Sequence, residues 1–146
     1  MILGNAKLDK IPAFFIEGKK IESVTELKLL SVHISHDFCW ESHVNAFYNK
    51  VLPRLYFLKF LKRSGVGSND LLYFYITAIQ PILEYVYAVW NHNLTAKQSD
   101  KIESIQKCTL RIICSDLAVR MPYNSLLFIS NIESLKQRRV TTGKAF

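Results

Sequence analysis

The period of the apolar residues changes once along this chain, at Trp40, and that change limits the fold more than any other feature. Before it the pattern is β. Phe14-Phe15-Ile16 is a short apolar run, Glu17-Gly18-Lys19-Lys20 has turn chemistry, and Ile21, Ser23 and Val24 resume a strand, which predicts a small hairpin. Leu27, Leu29, Leu30, Val32 and Ile34 make another, partly alternating run. Within it Val32-His33-Ile34-Ser35-His36 puts Val and Ile on one face and His on the other. After Trp40, the residues Val44, Phe47, Val51, Leu55 and Leu58 follow steps of three and four, one face of a helix. Ser64-Gly65-Val66-Gly67 stops that helix. Ser68 is the predicted N-cap of the next, with Asp70 in its first turn. Leu72, Tyr75, Ile79, Leu83, Val86 and Trp90 form its stripe, and Asn91-His92-Asn93 ends it. Thr95 caps a third helix, with Ile102, Ile105, Thr109 and Ile112 on its buried face. Met121-Pro122 breaks the chain before shorter helices around Leu126–Ile129 and from about Glu133. Pro53 and Pro81 fall inside helical patterns, and each is expected to kink its helix by removing a donor. The fold class is therefore α+β, mainly α: a short β hairpin and strand start, then a helical bundle.

A chain of 146 residues has room for one core, and 49% hydrophobic with 21% charged residues is globular composition. Nine Phe, seven Tyr and two Trp call for an aromatic-rich core or contact surface. Leu71 to Trp90 carries a single charge, Glu84, over about the length of a membrane span. Gln80, Pro81 and Glu84 lie near its middle, where an acid costs roughly 2.5–3.5 kcal/mol on insertion. A core helix is the better reading than a small single-span membrane protein. Cys39, Cys108 and Cys114 are odd in number and lack framework spacing. Met1-Ile2-Leu3-Gly4 gives way at once to Asn5, Lys7 and Asp9, unlike a signal peptide. Reduced thiols in an intracellular protein, cytoplasmic or nuclear and not secreted, are expected.

Few residues suggest chemistry. His36, Cys39 and His43 have ligand-like spacing with His33 nearby, but zinc takes four ligands and no CxxC pair occurs. Solvent-facing histidines explain the cluster equally well. No adjacent Asp-Asp pair exists to hold two metals, and no Walker loop, nucleophile elbow or GxGxxG is present. Aspartates stand singly at 9, 37, 70, 100 and 116, as surface and capping acids. No catalytic residue, metal site or cofactor is expected in this chain.

Its charge is more informative. In residues 1–39 Lys7, Lys10, Lys19, Lys20 and Lys28 balance Asp9, Glu17, Glu22, Glu26 and Asp37, so the net +7 falls wholly after residue 39. Such a domain attracts polyanions, nucleic acid among them. On the first helix Lys50, Arg54, Lys59, Lys62 and Arg63 interleave with Tyr56, Phe57 and Phe60. On the third, Lys97, Lys101, Lys107 and Arg111 lie roughly opposite the isoleucine face, with Asp100 among them. These residues suit backbone contacts to nucleic acid with aromatics for stacking. A solvated helix face backed by core aromatics is the plainer alternative. Leu55 to Leu61 is apolar on every side, so it is buried all round or meets a partner.

Taken in order, the motifs resemble one family. Pro81-Ile82-Leu83-Glu84-Tyr85 followed by Ala88-Val89-Trp90 is similar to a Pro-x-Leu-Glu-Tyr…Val-Trp signature downstream of the palm in reverse transcriptases of LINE-type (non-LTR) retrotransposons, the jockey-like group included. Ile105-Gln106-Lys107 with Leu110-Arg111 resembles the family's next helix, Leu-x-x-Ile-Gln-x-x-Ala-x-Arg. Leu27 to Ser35, then Trp40 and His43, resembles its "LGV…W-x-x-H" segment. Leu135 with Arg138-Arg139 resembles a Ser-Leu-x-x-Arg-Arg element. The family's Gly is Ser31 here, and its Ala is Cys108 or Thr109. The resemblance implies a fragment of an RNA-directed DNA polymerase: residues 1–39 as the last palm strands and hairpin, with Met1-Ile2-Leu3 the strand after the catalytic motif, 40–92 as a thumb, and 93–146 as a post-thumb linker. The catalytic Asp-Asp, and the divalent metal it binds, belong to a palm outside this chain, so the chain is expected to be inactive alone. The implied partners are RNA or DNA duplex, gripped by the thumb, and the absent palm, whose lost contact would favour self-association. The alternative is a host protein-interaction module using its exposed apolar helix.

Overall fold

The computed structural model describes residues 13–115 and 121–143. Met1-Ile2-Leu3, Lys7, Asp9, Lys10 and Asp116 lie outside them. The chain divides into two compact units, Met1–Ala46 and Phe47–Phe146, the division falling within the first helix. The architecture is mainly α with two small antiparallel strand pairs.

In the first unit, β1 (Phe15–Ile16) pairs with β2 (Lys19–Lys20), Ile16 opposite Lys19. The turn is Glu17-Gly18 at positive φ (50° and 76°), the two-residue hairpin form whose twist matches the strands. Strands β3 (Glu26–Leu29) and β4 (Val32–Ser35) form a second hairpin, Leu29 opposite Val32. The sequence reads this stretch as one alternating run, but the chain reverses at Leu30-Ser31, φ 45° and 67°. Neither residue is a usual former of such a turn, so nothing local announced it. Every residue of β3 is exposed, while Val32, Trp40, His43 and Val44 are buried. Trp40 meets His43 edge-on, centroids 5.9 Å apart.

Helix α1 (Glu41–Arg63) runs on from there and continues through Pro53. It stops at Gly65 (φ 84°), where Val66 N–H bonds Leu61 O (3.2 Å) and Gly65 N–H bonds Lys62 O (3.1 Å). That is the double closure a left-handed residue allows after a helix.

In the second unit, α2 (Ser68–Phe74), a π turn (Tyr75–Ile79) and α3 (Gln80–Glu84) form one helical run. The cap is Gly67 rather than the predicted Ser68, and no side chain bonds there. Pro81 lacks the N–H that a regular helix would donate to Thr77, and its ring would strike that carbonyl. The widened turn just before it relieves both. The run ends at Tyr85-Val86, with Val86 left-handed (φ 48°). The single stripe expected to reach Trp90 therefore stops at Leu83, and Val86 is exposed. A short α4 (Tyr87–Trp90) follows, then a 3-10 turn (Asn91–Asn93). Trp90 spans the break, its indole N–H donating to Tyr85 O (3.0 Å). Helix α5 (Ala96–Ile113) starts as predicted at Thr95, in a reciprocal cap with Gln98 (3.3 and 2.9 Å). It buries Ile102, Ile105, Gln106, Thr109, Leu110 and Ile113, the last in place of the expected Ile112. Helices α6 (Tyr123–Ile129) and α7 (Leu135–Gly143) complete the unit, burying Leu126 and Leu135. Around α5 the core gathers Phe47, Val51, Leu55, Leu58, Leu71, Tyr75, Ile79, Leu83 and Trp90. No helix of the described residues is long and apolar enough to cross a membrane.

Candidate functional site

Helices α1 and α5 lie side by side and run the same way. Tyr48 meets Lys101, whose Nζ sits 5.0 Å from the ring centroid, and three to four turns on Lys62 Nζ donates to Ile113 O (3.1 Å). Steps of four and three place Tyr48, Leu52, Tyr56, Lys59 and Arg63 on the flank of α1 toward α5. The same steps place Lys97, Lys101, Ser104 and Cys108 on the facing flank of α5. Neither row contains a carboxylate. Between them is a groove of about 290 Å³ lined by Tyr48, Leu52, Leu55, Tyr56, Lys59, Ser104, Ile105 and Cys108.

The nine cations singled out by sequence are thus sorted into different situations. Lys59, Arg63, Lys97 and Lys101 belong to the α1–α5 face. Lys50 and Arg54 fall on the opposite flank of α1, with Phe57, and the Arg54 guanidinium donates to Lys50 O (3.0 Å). Lys62 closes the carbonyl end of α5, where a cation also meets the negative end of the helix dipole. Lys107 turns the other way, over the Tyr123 ring at 5.2 Å. Arg111, one step of three beyond Cys108, ends the α5 row and is exposed. Periodicity cannot tell a lysine that caps a neighbouring helix from one that faces solvent, so Lys62 was indistinguishable from Lys59. Tyr48 was missed, although its spacing to Leu52 and Tyr56 was there to read.

The family-like motifs come together elsewhere, in a partly buried polar network on the far side of α5. Glu84 accepts from Gln80 Nε2 (3.0 Å) and from Arg138 through both Nε and Nη2, the latter at 3.2 Å. Gln106 is fully buried. Its Oε1 accepts from Tyr123 Oη and Leu135 N–H (2.9 Å each), and its Nε2 donates to Glu133 O (3.0 Å). Glu103 takes Tyr123 Oη at 2.7 Å and Lys136 N–H at 3.0 Å, and the buried Arg139 donates to Ser99 Oγ at 2.9 Å. Burial, and then the Glu84 and Glu103 carboxylates, push the Tyr75 phenol well above its ordinary pKa. Burial and the bond to Glu103 do the same to Tyr123. The Glu84 bond raises Arg138, whereas burial lowers Arg139. Of the signature residues, Leu83 and Trp90 are core, Glu84 is the ion-pair acceptor, and Pro81, Tyr85 and Val89 are exposed.

The remaining candidates are local. Ser35 Oγ donates to Asp37 Oδ1 (2.6 Å), which with the Cys39 amide lowers the Asp37 pKa. Among the described residues no three His, Cys, Asp or Glu are placed to hold a metal ion. The three cysteines are free thiols. Comparison with family models, curated proteins and solved structures gives no match to this chain.

Proposed function

We propose that this chain is a non-catalytic, thumb-side portion of a LINE-type reverse transcriptase and that it holds nucleic-acid duplex by its backbone through the α1–α5 face. The observation that carries the binding is the pair of facing rows: Lys59 and Arg63 on one helix, Lys97 and Lys101 on the other, with no acid in either. Phosphates supply the matching charge, and contacts of this kind do not select sequence. Two observations support the origin. The signature segment around Glu84 and the Arg138-Arg139 element, distant in sequence, are joined by an ion pair. The position where the family carries Gly, Ser31 here, has φ 67°, a backbone angle that favours glycine.

A salt titration of duplex binding tests the reading. Affinity is expected to fall linearly with log salt, with a slope of about −0.9 per phosphate neutralised. Replacing Lys59, Arg63 and Lys97 together by Ala reduces that slope and weakens all duplexes equally, while Lys50→Ala with Arg54→Ala on the other flank changes it little. Lys62 is left alone because it closes α5. Salt-independent binding, or equal slopes for both variants, removes the proposal. A host protein-interaction module would then lead, resting on Phe57 and Phe60. These are 47% and 56% exposed, and Phe57 packs on Phe74 with centroids 5.6 Å apart.

A further inference from the structure

The groove inside the α1–α5 face asks more of an occupant than a duplex can give. Its floor is apolar, from the buried Leu55 and Ile105. On its rim Tyr56 is 75% exposed, whereas one face of Tyr48 is already covered by the Lys101 ammonium. Lys59 stands one turn beyond Tyr56 on the same flank. A volume of about 290 Å³ lies at the small end of ligand clefts, enough for one ring system and not for a helix. The occupant must therefore be flat and aromatic on one part and anionic on another. An apolar side chain of a protein partner meets the floor but leaves Lys59 without a counter-charge. A duplex meets Lys59 but keeps its base faces stacked inside.

The geometry points to the α1–α5 groove as the seat of one unpaired nucleotide of a nucleic-acid strand, its base against Tyr56 and its phosphate at Lys59. This rests on the nucleic-acid reading and adds a preference to it: the chain holds a duplex that carries a single-stranded tail more tightly than a blunt one. Aromatic stacking of this kind tolerates any base, so the preference is for being unpaired and not for sequence.

The test uses the whole chain and two labelled linear duplexes of two annealed strands, one blunt at both ends and one with a short single-stranded tail, measured by fluorescence anisotropy at several salt concentrations. The tail is expected to tighten binding by roughly fivefold or more, the low end of one base–aromatic stack. Tyr56→Ala abolishes that increment, so that tailed and blunt duplexes bind it alike, and Tyr56→Phe keeps it because the ring face remains. Ser104→Trp, which fills the groove from α5, abolishes it as well; circular dichroism checks that each variant is folded. A nucleoside monophosphate is the second arm. If it competes with the tail at the tail's own affinity, the site takes free nucleotides and the strand assignment is wrong. Equal affinity for blunt and tailed duplexes overturns the inference while leaving duplex binding in place, and no salt-dependent binding to either overturns both. Loss of the increment in Tyr56→Phe as complete as in Tyr56→Ala also overturns it, since a hydroxyl contact would then be responsible.

Discussion

Helix α5 carries two polar flanks that the fold treats in opposite ways. On one, Glu103 and Gln106 are bonded to Tyr123, Leu135 and Lys136, and Gln106 is completely buried. On the other, in the row with Lys97 and Lys101, Ser104 and Cys108 line a groove that stays open. Both flanks follow helical steps, so the pattern along the chain does not separate them. The partner element does. Helices α6 and α7 supply complementary donors and acceptors, whereas α1 supplies more cations and two tyrosines. Polarity answered by the α6–α7 side holds the unit together, and the open groove on the other side is what a ligand can use.

Alkali breaks the first flank most directly. Tyr75 and Tyr123 have folded pKa values raised above the unfolded value of about 10. The folded state thus retains protons that the unfolded state releases. The stability they contribute is complete below about pH 10 and is lost as pH rises beyond it. A fully coupled tyrosine costs about 1.4 kcal/mol per pH unit in that range. Tyr75, sealed in the core, takes the full slope, and Tyr123, only partly buried, takes a fraction. Denaturant midpoints measured across this range, with tyrosinate absorbance followed in parallel, are expected to show the Tyr75 phenol ionising only with unfolding. A stability flat to well above pH 10 would mean that the fold does not hold these phenols protonated.

Substitution contrasts the two flanks at similar positions on the same helix. Gln106→Leu strands a buried amide of Leu135, the carbonyl of Glu133 and one bond of the Tyr123 hydroxyl, and is expected to cost about 3 kcal/mol. Ser104→Ala, whose hydroxyl bonds only the Lys101 carbonyl one turn back, is expected to stay within about 0.5 kcal/mol. Urea unfolding of both variants decides it. Similar costs at both positions would erase the distinction between the flanks.

Much of this was legible and some could not be. The change of period at Trp40, the stop at Gly65 and the cap at Thr95 depend on neighbours in sequence, and each appears where local chemistry put it. The break at Val86 was not legible, because a valine gives no local reason to turn left-handed and the Trp90 indole that bridges it comes from the next helix. The same holds for the turn at Leu30-Ser31. Within the site, the nine cations could be named but not sorted, since Lys62 is a cap only because the end of α5 lies beside it. The Glu84–Arg138 pair spans most of the second unit, and no periodicity relates its members.

Ser31 extends the contrast to a polar residue that acts through its backbone. It is exposed, opposite no buried partner, in the two-residue turn joining β3 and β4. At φ 67° an L-residue bears about 1–2 kcal/mol of left-handed cost, which glycine avoids. Glycine gives back part of this, about 0.5–1 kcal/mol, through its freer unfolded chain. Ser31→Gly is therefore expected to stabilise the hairpin by roughly 0.5–1 kcal/mol, and Ser31→Ala to give nothing. Because β3 is exposed along its length, the gain belongs to the hairpin and not to the helical unit. Amide exchange at the cross-strand pairs from Glu26↔Ser35 to Leu29↔Val32 should slow in the glycine variant and stay unchanged in the alanine one. Equal exchange in both would show that the turn is unstrained at Ser31. The glycine of the resembled family would then have no backbone reason to stand there, and that support for the thumb-side origin would be withdrawn.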